Sequence, residues 1–157
     1  MRSKVYLETT VVSYLTARPS RDLVVAAHQQ ITQEWWSNRS SDFDLYVSQL
    51  VVQEAGAGDV QMARLRLAAL DRIPLLSVSQ EAATLARLLV DKGPIPEKAA
   101  LDALHIAVAT AHGMDYLLTW NCKHIANAEM QGGVTAICRA SGYAPPVICT
   151  PEELLGI

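Results

Sequence analysis

Short β-rich runs recur along this chain, and each is separated from the next by a stretch of helical period. Residues 4–7, 45–47, 74–78 and 116–119 read as strands, and residues 146–150 as a fifth. Between them, helical spacing of apolar residues covers 11–16, 23–38, 49–57, 60–70, 80–90, 97–112 and 134–140, with a closing helix at 151–155. The punctuation agrees. Thr9 or Thr10 can cap the first helix, Gly56 and Gly58 end the third, Pro96 suits a first helical turn, and Gly113 follows the longest apolar helix. Strands that alternate with helices pair in parallel through right-handed crossovers, so the chain is expected to be α/β. Sites in such open sheets lie beyond the carboxyl ends of the strands, where the strand order reverses. Glu8 follows the first strand and Asn121 the fourth, so both fall on that edge, and Glu54 and Asp102 come from helices able to lean over it.

Composition narrows the classes. The chain has 157 residues, which suits a single domain spanning 1–157, and half are hydrophobic with 18% charged, which suits a globular fold. The apolar runs are interrupted by Glu54, Asp59, Arg64 or Asp102 and none reaches the ~20 residues of a membrane span. With no signal-peptide pattern ahead of Val5, a cytoplasmic protein is expected. Cys122, Cys138 and Cys149 form no CxxC pair and read as small core or surface residues. A net charge of −3 argues against a basic protein that coats nucleic acid, and leaves room only for a small phosphate-binding patch.

Three acids stand out because they interrupt apolar runs. Glu8 ends Val5–Tyr6–Leu7, Glu54 follows Leu50–Val51–Val52–Gln53, and Asp102 is surrounded by Ala99, Ala100, Leu101, Ala103 and Leu104. A buried carboxylate is costly unless it is paired or binds a metal, and Asp is a poor interior helix residue. Oxygen ligands gathered from distant segments suit a hard divalent cation such as Mg2+ or Mn2+. Glu8, Glu54 and Asp102 are therefore expected to converge on one ion. Asp59 reads as the N-cap of the helix that follows it. His105, one turn beyond Asp102, can bond that acid as its partner or serve as a satisfied core residue. Asn121 can orient a carboxylate or build the turn into Lys123. Lys123, His124, Arg18 and Arg21 can meet phosphates or be solvated charges. Trp35 and Trp36 suit the core or an interface.

These segments together resemble the PIN domain, in particular the VapC-like toxins of bacterial toxin–antitoxin pairs. The resemblance rests on Tyr6–Leu7–Glu8–Thr9–Thr10, on Glu54 in Val52–Gln53–Glu54, on the run from Leu101 to Ala107, on the run from Leu117 to Asn127, and on the ending Thr150–Pro151–Glu152–Glu153–Leu154–Leu155. It implies a three-layer α/β/α sandwich with a central parallel sheet of four to five strands. It also implies Mg2+- or Mn2+-dependent cleavage of RNA by a water nucleophile. The family's acidic positions map onto Glu8, Glu54 and Asp102, its fourth polar position onto Asn121, and a Ser or Thr helper onto Thr10. Glu8 replaces the usual Asp, and Asn121 stands where many relatives carry Asp. A small antitoxin protein and a second copy of the chain are the expected partners. Two rival classes are a PIN-like module whose site has decayed, left to bind RNA or a protein, and a phosphoryl-accepting receiver domain. The receiver pattern calls for an acidic pair after the first strand and a lysine after the fifth, and the chain has one acid and Thr150–Pro151 there.

Overall fold

A computed structural model describes residues 1–156. The chain runs β1 (Lys4–Leu7), α1 (Thr9–Thr16), α2 (Leu23–Asn38), β2 (Asp44–Ser48), α3 (Gln49–Ala55), α4 (Val60–Leu70), β3 (Leu75–Leu76), α5 (Gln80–Asp91), α6 (Ala100–Ala111), β4 (Tyr116–Leu118), α7 (Ala128–Ala140) and β5 (Val147–Cys149). The strands form one sheet in the order β3-β2-β1-β4-β5, and every neighbouring pair is parallel. This is the α/β architecture with a central parallel sheet read from the alternation of strands and helices.

β1 explains why the sheet needs cover on both faces. Successive side chains of a strand point to opposite faces, yet Val5, Tyr6 and Leu7 are all buried. The helices divide into two sets that pack among themselves, α1 to α4 and α5 to α7, with the sheet between them. Val5, Leu7, Val11, Trp35, Val47 and Val51 join Leu85, Leu89, Ile106, Val108 and Leu117 in the core. Trp35 is wholly buried there and Trp36 packs partly against it. Cys138 and Cys149 are buried, Cys122 is exposed, and all three are free thiols.

Several boundaries differ from the sequence reading. Only Leu75 and Leu76 of the 74–78 run are strand, because they alone pair with Val47 and Ser48. Residues 97–112 divide into a 3-10 turn, Glu97–Ala99, and α6. The closing segment is also a 3-10 turn, Pro151–Leu154, held by a capping box between Thr150 and Glu153. α7 begins at Ala128, capped by Asn127, well before the expected 134. It continues through Gly132 and Gly133, and Pro94 lies so close to Gly133 that a Cβ there would stand 3.0 Å from the proline ring. Asp59 caps α4, its Oδ2 accepting the Met62 N–H at 3.0 Å. α1 is capped by Glu8 itself, and not by Thr9 or Thr10. Among the described residues, no helix is long and apolar enough to cross a membrane.

Candidate metal centre

β1 and β4 are neighbours, and the chain leaves β1 in one direction along the sheet and enters β4 on the other side. Their carboxyl ends therefore mark the switch point of the strand order. Glu8 stands at that point with its N–H bonded to the Leu118 carbonyl at 3.0 Å. Its side chain is nearly buried, 4% exposed, and a charge held there must be compensated. Glu8 Oε1 accepts hydroxyls from Thr10 at 2.5 Å and Thr119 at 2.6 Å, and Oε2 accepts the Thr10 N–H at 3.2 Å. The Thr10 hydroxyl in turn accepts the Trp120 N–H at 2.8 Å. Thr10 thus ties Glu8 to the segment after β4.

Ser48 starts α3 as its N-cap, and Glu54 follows near the end of this short helix. Glu54 Oε1 accepts the Thr9 hydroxyl at 2.5 Å and faces His105 Nε2 at 2.6 Å. Burial alone would lift the Glu54 carboxyl. The hydrogen bond and charge of His105, with the Thr9 hydroxyl, outweigh it and hold the group below the usual carboxylate value. A carboxylate accepts only, so the shared proton lies on Nε2. The other ring nitrogen, Nδ1, lies 2.7 Å from the Tyr6 hydroxyl, which lies 2.8 Å from Ser48 Oγ. Burial first of all, opposed by the bond to Ser48, pushes the Tyr6 phenol far above its usual range, and the charges of Glu8 and Glu54 add to this.

One donor atom each from Glu8, Glu54 and His105 lies within 4.8 Å of the others. Two carboxylate oxygens and one imidazole nitrogen at that spacing fit a divalent cation. Asp102 is not a member of this group. Its Oδ2 lies 3.3 Å from His124 Nδ1, one helical turn before His105 on α6. A displacement of three residues along a helix is about 4.5 Å, enough to present His105 instead of Asp102 to Glu54. His105 accordingly meets Glu54 and Tyr6, not Asp102.

Asn121 builds the loop beside the mouth. Its Oδ1 accepts the His124 N–H at 3.1 Å, its own N–H donates to Thr119 Oγ1 at 2.9 Å, and its carbonyl receives Ala126 N–H at 2.8 Å. It acts as a turn residue that sets His124 opposite Asp102. Lys123, Arg18 and Arg21 are exposed. The sequence reading gives no site role to Thr119, Tyr6 or Ser48, and takes Thr9 only as a helix cap. Thr119 alone carried a signal, a hydroxyl at the end of the strand expected beside Glu8.

The family model of the PIN domain matches residues 5–124. No curated protein matches. A chain in the crystal structure of VapBC2 from Rickettsia felis, bound to a DNA fragment from their promoter, superposes with a TM-score of 0.60 at 15% identity, covering 94% of this chain and 98% of that one. VapC20 of Mycobacterium tuberculosis, a toxin that cleaves the sarcin–ricin loop, superposes with a TM-score of 0.51 at 16% identity, covering 72% of this chain and 86% of that one. At those identities the likeness is one of fold. The family match spans the segments that carry Glu8, Glu54, Asp102 and Asn121, and the chain belongs to the PIN domain family.

Proposed function

We propose that this protein is a metal-dependent endoribonuclease and the toxin of a toxin–antitoxin pair. The observation that carries the reading is the meeting of Glu8 and Glu54 at the switch point of a PIN-domain sheet. The names of the two structural neighbours, a toxin–antitoxin complex and an RNA-cleaving toxin, favour the same class.

Glu8 and Glu54 are the proposed ligands from the sheet edge and α3, with Asp102 as the third carboxylate, from α6. A bound Mg2+ or Mn2+ would supply Lewis acidity toward a water and a phosphate oxygen, which is the chemistry that phosphodiester hydrolysis requires. The protein's part is positioning. Thr10 and Thr119 hold the Glu8 carboxylate in one orientation, and Thr9 does so for Glu54. The Glu54 side chain is about one-third exposed, so solvent reaches the site there. His124, held by Asp102 and Asn121, and the exposed Lys123 before it supply basic groups in the loop after β4 that suit a phosphate backbone.

The test is cleavage of single-stranded RNA by purified protein with Mg2+ or Mn2+. Wild type is expected to cleave, and Glu54→Gln and Asp102→Ala to lose that activity. Cleavage that persists in excess chelator would overturn the metal-nuclease reading. The partners proposed are RNA, a small antitoxin protein and a second copy of the chain. Sedimentation showing only monomer at micromolar concentration would remove the last.

A further inference from the structure

Resting on the reading of this mouth as a divalent-metal site, we propose that His105 supplies a nitrogen ligand alongside Glu8 and Glu54, and that this nitrogen makes the site select a transition-metal ion over Mg2+.

Geometry supports it first. One ring nitrogen of His105 and one carboxylate oxygen each from Glu8 and Glu54 all lie within 4.8 Å of one another, and Nε2 is the nitrogen that faces Glu54. Oxygens or nitrogens bonded to one ion at ~2.0–2.3 Å stand no further apart than twice that length, so the three need little movement to share an ion. Asp102 lies outside the group, its carboxylate turned to His124.

The second support is the disposition of the imidazole's other nitrogen. A ligating histidine needs its free nitrogen aimed at the ion and its other N–H donated to an acceptor that fixes the ring. Here Nδ1 lies 2.7 Å from the Tyr6 oxygen, and Tyr6 lies 2.8 Å from Ser48 Oγ. With the proton on Nδ1, that N–H donates to Tyr6, and the Tyr6 O–H donates to Ser48. The Nδ1 proton and the Tyr6 hydroxyl then each have a partner, and Ser48 Oγ accepts from both Tyr6 and the Val51 N–H. The proton now shared between Nε2 and Glu54 is the one the ion replaces. The ring is 1% exposed, so it has no freedom to turn away.

The third support is donor chemistry. Mg2+ demands oxygen ligands and sheds water reluctantly, whereas imidazole suits Mn2+, Fe2+, Co2+ and Zn2+ increasingly well. A site with one nitrogen among its donors therefore discriminates between ions that two or three carboxylates alone would not.

Mn2+ is the probe. Pulsed electron paramagnetic resonance of Mn2+ bound to the wild-type protein is expected to show coupling to a directly bonded 14N. In equilibrium titrations with Mn2+ against Mg2+, His105→Gln is expected to weaken Mn2+ binding by about tenfold or more. Mg2+ binding should stay within about threefold, so that the preference collapses. Tyr6→Phe, which keeps the imidazole and removes the acceptor of its Nδ1 proton, is expected to weaken Mn2+ about tenfold while the 14N coupling persists. A bound Mn2+ signal without nitrogen coupling in the wild-type protein would overturn this inference alone and leave the carboxylate site standing. Absence of any bound Mn2+ at millimolar concentration would overturn both this inference and the metal reading beneath it. The spectroscopic measurement uses unaltered protein, so a variant that fails to fold does not decide the matter.

Discussion

Glu8 collects two hydroxyls on a single carboxylate oxygen, one from the residue two places on and one from across the sheet. The glutamate side chain carries the oxygen that meets both hydroxyls. Glu8→Asp withdraws the carboxylate by one methylene, and a misplacement on the order of 1 Å can cost ~100-fold in rate. The expected outcome is a loss of RNA cleavage of that order, measured at saturating metal, and an undiminished rate would show that the extra reach is not used. Thr119→Val removes the hydroxyl that serves Glu8 and also receives the Asn121 N–H. It should lower unfolding free energy by about 1–3 kcal/mol, the cost of leaving buried polar groups unpaired, readable from the urea midpoint. The acids themselves were visible in the sequence because a carboxylate inside an apolar run asks for a partner. Their partners were not. Thr119 is 111 residues from Glu8, and the choice of His105 over Asp102 as the neighbour of Glu54 depends on how α6 is rotated against α3.

Helices whose ends are set by side chains near in sequence were read closely. α2 and α4 span the expected residues, with Asp22 and Asp59 as caps, and both signals lie within one turn of the helix they start. β3 and α7 depart from the extents their local sequence suggests because those extents are set from elsewhere. β3 is as long as its register with β2 allows, and α7 carries two glycines through its second turn, one of them against Pro94. Local capping can be tested apart from function. Asp59→Ala removes the acceptor of the Met62 N–H on an exposed helix start. It should cost about 1 kcal/mol of stability and leave RNA cleavage at the wild-type rate, as measured by denaturation and by the cleavage assay side by side. A drop in cleavage without a drop in stability would give Asp59 a role in the site.

The molecule as a whole holds protons that its unfolded chain would release. Burial pushes the Tyr6 phenol up from 10.0 and the Cys149 thiol up from 9.0 to about 12, the latter with help from the charge of Glu153. With folded values raised, the native state binds more protons than the unfolded state above about pH 9, so this contribution is complete below that pH and declines as pH rises toward 12. Each such group adds a slope of up to ~1.4 kcal/mol per pH unit. Urea midpoints should therefore fall between about pH 9 and about pH 11, and less steeply in Cys149→Ala; a parallel fall in that variant would exclude the thiol as a cause. The strand order carries a consequence for synthesis on the ribosome. β1 lies between β2 and β4, and Glu8 waits for a hydroxyl that is 111 residues downstream. At ~5–20 residues per second, on the order of ten seconds separate the appearance of the two groups. Through that interval β1 lacks one neighbour and Glu8 one of its anchors, so the mouth cannot assemble on a nascent chain until the fourth strand has followed. If the proposed RNA-cutting activity holds, that delay would keep the site unformed while most of its own message is being read.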